Sequence, residues 1–242
     1  MRRSGLHAGV IFVSNNKQDG AHWSRVMAQV FRPGQVFALK FGAIIVLIVC
    51  VAGILIWRAV IAESPPVNAP VAQTPPFSHR HHVSDVGLDC RFCHASVETG
   101  AFAGLPPTST CMTCHSQLFK GQPMLAPVAA SFREDRPLHW IRVHRLPDFV
   151  YFHHDIHVSK GIGCSTCHGR VDQMPLMWRT QSLDMAWCLD CHRAPEKYLR
   201  PRSRVFDMTW QPPPDQLEQG RLLLSAYQID HRRLLGCSNC HR

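Results

Sequence analysis

Ten of the 11 cysteines fall into five pairs separated by two residues, and a histidine follows each pair. The motifs are Cys90/Cys93/His94, Cys111/Cys114/His115, Cys164/Cys167/His168, Cys188/Cys191/His192 and Cys237/Cys240/His241. Two thiols at this spacing lie on one helical turn and can form thioether bonds to the two vinyl groups of one porphyrin. The adjacent imidazole then sits beneath the ring as the proximal iron ligand. Zinc sites also use paired cysteines, but they have no reason to place histidine after every second one. Disulfides leave the histidines equally unexplained. Thioredoxin-like motifs occur singly on a βαβ pattern that is missing here. The expectation is five covalently bound haems c, with no substrate-binding catalytic residue.

A second set of histidines supplies the opposite iron face. Phe77-Ser78-His79-Arg80-His81-His82 precedes the first motif, and Phe152-His153-His154-Asp155-Ile156-His157 precedes the third. Histidines three apart share a helix face at different heights, so one can serve the nearest haem and the other a neighbour. His79, His82, His154 and His157 are the expected distal ligands, with His144 or His231 as the fifth and His139 behind them. His81 and His153 read as propionate partners or exposed side chains. Met174, Met177 and Met185 read as packing against porphyrin faces rather than as thioether ligands. His7 and His22 precede the apolar segment and cannot reach the haems.

These positions define an internal repeat, 77–115 and 152–192, with the fifth motif appended in 215–242. Residues 77–242 provide about 33 residues per haem, too few for a conventional core around each ring. The fold expected is therefore a multihaem cytochrome c domain of short helices and long loops, with little or no β-sheet. The haems would form its interior. Pro212–Pro214 followed by Asp215 marks a helix start, with Gln216–Tyr227 following.

Ahead of that domain, Phe41–Trp57 carries no charge, and apolar residues extend it to 36–62. A single transmembrane α-helix is expected there. Residues 1–35 read as a cytoplasmic basic arm and 63–76, with five prolines, as a stalk in extended geometry. Residues 1–60 hold seven basic residues and one acidic residue, which places the N-terminus in the cytoplasm and the haem domain on the extracytoplasmic side of a bacterial inner membrane. A cleaved signal ending near Val60-Ile61-Ala62 is disfavoured by the forty residues that precede the apolar run. Cys50, inside the span, reads as a small packing residue. The net charge is +9, yet residues 61–242 hold 19 basic and 16 acidic residues, so a nucleic-acid partner is not expected.

Irons held between two imidazoles pass single electrons and have no open coordination site. Electron transfer without substrate chemistry is the reading favoured over a multihaem reductase, since all five motifs end in His and none in Lys. The run LHWIRVHRLPDFVYFHHDIHVSKGIGCSTCHGRVDQMPLMWRTQSLDMAWCLDCHRAPEKYLRP, with FSHRHHVSDVGLDCRFCH upstream, resembles the pentahaem cytochrome c subunit of alternative complex III over residues 77–242. That resemblance implies a quinol:electron-acceptor oxidoreductase. A polytopic quinol-binding membrane subunit and an iron–sulfur subunit deliver electrons to the pentahaem subunit. The acceptor is a monohaem cytochrome c, a copper protein, another soluble carrier or a terminal oxidase. The resemblance also supports His144, in Arg142-Val143-His144, as a ligand. The basic arm and the additional His81, His139 and His153 depart from the family pattern. The competing reading in the same class is a small membrane-bound quinol dehydrogenase feeding a periplasmic reductase.

Overall fold

The computed structural model describes residues 33–62 and 65–241. Nearly all of the basic arm, with His7 and His22, lies outside them. The chain divides into two units, Met1–Ile61 and Ala62–Arg242.

The first unit contains helix α1, Pro33–Ala62. Proline at the first helical position costs nothing, because the amide it lacks has no intrahelical acceptor there. Within α1, the 26-residue stretch Gly34–Ala59 contains an 18-residue window with a mean hydropathy of 2.8. At about 1.5 Å per residue the stretch covers about 39 Å, more than a hydrocarbon core of about 30 Å. Its apolar side chains are exposed on every side, Ile48 at 61% and Trp57 at 63% among them. A helix that is apolar all round belongs in an apolar surrounding, so α1 is a candidate single membrane span by length and composition.

The second unit is built from short helices: α2 (Cys90–Cys93), α3 (Thr108–His115), α4 (Ala126–Glu134), α5 (His154–Ser159), α6 (Cys164–His168), α7 (Met185–Arg193) and α8 (Gln216–Ala226). A π-helical turn spans Arg80–Asp85, and a 3-10 turn holds Cys237–Asn239. Among the described residues strand pairing is limited to isolated bridges. Four motifs therefore sit on α-helices and the fifth on a 3-10 turn. Asp89 caps α2 by accepting from the Arg91 amide at 2.8 Å, and Asp184 caps α7 through Trp187 at 2.8 Å.

Helix α8 ends one residue earlier than the sequence pattern predicts. Asp215 precedes it, but its carboxylate accepts from the Gln219 side chain rather than capping an amide. Gly220 lets α8 close onto the turn at Pro195–Lys197, where a Cβ would overlap the Glu196 carbonyl. Gln216 fastens the same contact by donating to the carbonyls of Glu196 and Leu199 at 2.9 and 2.8 Å.

Residues 65–76 do not behave as a free spacer. The Asn68 amide donates to Arg179 O at 2.7 Å and the Val71 amide to Met177 O at 2.9 Å. The Gln73 side chain brackets the backbone of Ile141, and Pro75 is buried. Extended backbone carries unsatisfied donors and acceptors, and the loop at 177–179 offers complementary ones.

The two repeats exchange equivalent contacts. The Arg80 amide, at the start of the first His-bearing turn, donates to Met174 O of the second repeat at 3.0 Å. Its counterpart, the Asp155 amide, donates to Gly100 O of the first repeat at 3.2 Å. Each repeat thus holds the His-bearing turn of the other, in the manner of a two-fold interface formed within one chain.

Candidate haem sites

The geometry of the histidines tests whether the chain suits the group implied by its motifs. A neutral imidazole coordinates iron through one nitrogen and carries a proton on the other, whose hydrogen bond sets the tautomer. A backbone carbonyl only accepts, so a ring nitrogen facing one must be protonated. His82 and His157 place Nδ1 at 2.8 and 2.7 Å from the carbonyls of Ser78 and His153, four residues back. His94 Nδ1 faces Gly104 O at 2.7 Å, and His154 Nδ1 faces Ala101 O at 2.9 Å. His115, His192 and His241 face the carbonyls of Leu118, Leu234 and Phe149 at 3.2, 3.1 and 3.3 Å. In all seven, Nε2 is left as the acceptor available to a metal.

Ring spacing is the second test. A metal–imidazole bond is about 2.0 Å, and the ring centre lies about 1.1 Å beyond the nitrogen. Two imidazoles on opposite sides of one metal therefore have centres about 6.2 Å apart. His82 and His115 are separated by 6.2 Å, His154 and His168 by 6.3 Å, and His157 and His192 by 6.3 Å. Each pair joins a histidine preceding a repeat's motifs to the terminal histidine of a motif. His79 lies close enough to His94 for that ring to disfavour its protonation.

Phe77 and Phe152 orient both rings of their turns. Phe77 is nearly parallel to His82 at 4.5 Å and edge-on to His79 at 4.8 Å. Phe152 repeats this with His157 at 4.4 Å and His154 at 4.8 Å. The phenylalanine opening each F-x-H-x-x-H pattern was visible in sequence, but its role as a common wall for two imidazoles needed coordinates.

Burial favours the neutral form at four of the imidazoles, His79, His144, His157 and His168. It pushes His168 down to about 3, aided by the neighbouring rings of His144 and His154. Burial likewise takes His79 down to about 4, with His94 and His82 contributing. His144 falls to about 4 through burial and then the Arg179 guanidinium. His157 is lowered by burial as well. Neutral imidazole is the ligating form.

The remaining candidates differ. His144 packs edge-on against His168 with centres 4.3 Å apart, and its buried Nε2 has no hydrogen-bond partner. The ring beside His241 is Phe149, at 5.8 Å. His231 directs Nε2, rather than Nδ1, to Arg193 O at 2.6 Å, which occupies the nitrogen that the other rings leave free. Neither His144 nor His231 is thus brought to His241. His81 and His153 pair with Asp85 and Asp155 at 3.3 and 3.4 Å, and His139 is exposed. Met174 is buried, whereas Met185 is exposed.

Among the described residues the motif cysteines form no disulfide. Cys90 and Cys164, equivalent positions in the two repeats, are neighbours, and the Cys164 thiol draws Cys90 down to about 7. Burial raises Cys93, next to Cys111, and also Cys167, near Cys191 and Cys188. Cys188 in turn lies near Cys240. The motifs therefore follow one another in space as second, first, third, fourth, fifth.

Among the ten motif cysteines Cys114 and Cys237 are exposed and the other eight half-buried.

Among the described residues no three His, Cys, Asp or Glu side chains converge on a point suited to a bare ion. Only seven apolar side chains of the described residues are buried, a thin core for a unit of this length. Paired thiols beside paired imidazoles, around a sparse core, fit flat macrocycles with a central metal.

Such sites define a class, proteins that carry several covalently attached haems c, and sequence comparison points the same way. No protein-family model matches the chain. It is 39% identical over 93 residues to the multiheme cytochrome c subunit of menaquinone reductase from Nitratidesulfovibrio vulgaris (strain Hildenborough). The matched stretch covers 38% of this chain and 43% of that protein, so the chain spans less than half of its relative's length.

Proposed function

We propose that the chain is a membrane-anchored electron-transfer subunit carrying five haems c. It relays electrons from a quinol-oxidising membrane complex of the alternative complex III type to a downstream cytochrome c, copper protein or terminal oxidase. The observation that carries this reading is the set of three imidazole pairs at 6.2–6.3 Å, each joining a pre-motif histidine to a motif histidine. Bound haem would supply one-electron chemistry at an iron held by these histidines.

In this reading the five cysteine pairs anchor the macrocycles and His94, His115, His168, His192 and His241 are the proximal ligands. His79, His82, His154 and His157 lie opposite His94, His115, His168 and His192 respectively. His144, buried with an unpartnered Nε2, is the further distal candidate. His231 drops out because its Nε2 is engaged. The domain boundaries proposed are 36–62 as anchor, 63–76 as stalk and 77–242 as the haem-bearing part on the periplasmic side. The relative's name supports companion subunits in a quinone-linked membrane complex, here an iron–sulfur subunit and a polytopic quinol-binding subunit.

The same name supports a second reading, in which the subunit exchanges electrons with menaquinone in a smaller complex. Purification from membranes, with intact mass and visible spectra of the reduced protein, tests the first step. A mass excess of five haems and sharp α and β bands are expected, and a zinc-loaded, colourless chain overturns the proposal. Reduction by quinol only in the presence of companion subunits supports the relay. Reduction of the isolated chain by quinol supports the second reading.

A further inference from the structure

The two repeats make the first and third motif sites near-equivalents. His168 stands 6.3 Å from His154 and His94 lies near His79, each the first histidine of an F-x-H-x-x-H turn, and the Cys90 and Cys164 thiols are neighbours. Their charged surroundings are not equivalent. At the first site Arg91 is half exposed and already balanced, 2.9 Å from Asp89 and 3.7 Å from Glu98. At the third site a different arginine approaches from the following segment. Arg200 is 3% exposed, the least accessible charged side chain among the described residues.

Its guanidinium is laid against helix α6. One nitrogen donates to Ser165 Oγ at 3.3 Å and to Asp207 O at 3.3 Å, and the other to Ser165 Oγ at 3.3 Å and Thr166 Oγ1 at 3.1 Å. Ser165 and Thr166 are the two residues between Cys164 and Cys167. Trp210 covers one face at 4.2 Å. Gly163 makes the approach possible, because a Cβ there would overlap the guanidinium. Nε has no hydrogen-bond partner. Among the described residues no carboxylate forms an ion pair with Arg200, and Asp207 turns its own carboxylate to Arg204 at 3.0 Å. Burying a charge among neutral hydroxyls, a carbonyl and an aromatic face is costly, and packing alone would be served better by an apolar residue.

We propose that Arg200 sets the potential of the third site, placing it above its near-twin at the first and so giving direction to an otherwise symmetric pair. The inference rests on the haem reading above. Adding one electron to a ferric iron lowers the site's charge by one, with no bond formed or broken. A fixed positive charge in a poorly screened position stabilises that electron-rich state. Arginine suits the task because it holds its charge at any physiological pH. Arg200 is thus a positioning residue for charge and touches no reacting atom.

Redox-potentiometric titration of the purified full chain, followed by visible absorption and electron paramagnetic resonance, tests this. Arg200→Gln should shift one of the five components to lower potential and leave the other four in place. Arg200→Lys, which keeps the charge, should stay near the parent. Thr166→Asp gives an independent route should Arg200→Gln fail to load haem. It sets a carboxylate beside the guanidinium at the position where the fourth motif already carries Asp190, and should lower the same component. Thr166→Asn, uncharged and of the same shape, should leave it near the parent. An unchanged titration for haem-loaded Arg200→Gln overturns the proposal, as does an equal fall in Gln and Lys variants, which would make packing the cause. For Thr166→Asp, no shift, or one matched by Asn, does the same. Absence of haem from the parent chain is the distinct outcome that sinks the underlying reading.

Discussion

The imidazoles of His154 and His168 lie 6.3 Å apart at their centres with planes only 10° from parallel. A carbonyl of the other repeat, Ala101 O, holds the His154 proton at 2.9 Å. That separation matches two imidazoles sharing one metal. The His157–His192 pair repeats the spacing at an interplanar angle of 26°. Helix α5 therefore presents one imidazole to the third motif and another to the fourth.

His157→Ala should convert one low-spin component of the parent to high-spin, because His192 would then be the only protein ligand left at that site. Electron paramagnetic resonance of the oxidised protein checks this, and a low-spin signal undiminished from the parent's rules the pairing out. His153→Ala, on the same turn, should leave the spectrum unchanged. His153 uses its side chain on Asp155, and only its backbone carbonyl serves His157.

Replacing Cys237 and Cys240 together by serine should lower the mass by one haem and leave four attached. The fifth motif lies at one end of the spatial order, so the others do not depend on it for neighbours on both sides. Replacing Cys164 and Cys167 should instead disturb the first and fourth sites too, read as altered potentials of more than one remaining component.

Acid should act late and steeply. His79 and His144 are held down to about 4 and His168 to about 3, against an ordinary value near 6.5. Such groups bind fewer protons folded than unfolded. Their contribution to stability is complete above about pH 6.5 and declines as pH falls from there toward 4 and 3. The low-spin spectrum should therefore survive acidification through pH 6 and collapse at about pH 4 or below. Loss of ligation centred near pH 6.5 would show that the rings are not buried as described.

Gly220→Val should destabilise the second unit by about 1–3 kcal/mol, the usual range for overpacking. Its side chain would collide with the Glu196 carbonyl and push α8 off the turn at Pro195–Lys197. Thermal unfolding followed by circular dichroism measures the loss. The visible spectrum of the folded variant should match the parent, since neither element carries a ligand.

Much of the site was legible from sequence because covalent and coordinate bonds impose short, rigid spacings. The C-x-x-C-H motifs, the F-x-H-x-x-H turns and the repeat all follow from that constraint. The apolar run of α1 was legible for a related reason, a length and composition that match a bilayer core. The docking of residues 65–76 on the 177–179 loop was not, because backbone hydrogen bonds place no demand on side-chain identity. Arg200 was invisible too: nothing in Leu199-Arg200-Pro201 distinguishes a buried cation from a surface one. The position of His144 beside His168, away from the fifth motif, depends on a long loop whose path no periodicity encodes.

The reciprocal exchange between Arg80 and Met174 and between Asp155 and Gly100 has a developmental consequence. During synthesis the first ligand-bearing turn emerges well before the residues that steady it, so the early half of the domain must wait, incompletely held, for the later half. Whatever machinery installs the pigments meets a first repeat that is still loose and a second that finds its scaffold ready. Severing the chain between the halves would accordingly yield two unsupported fragments rather than two smaller carriers.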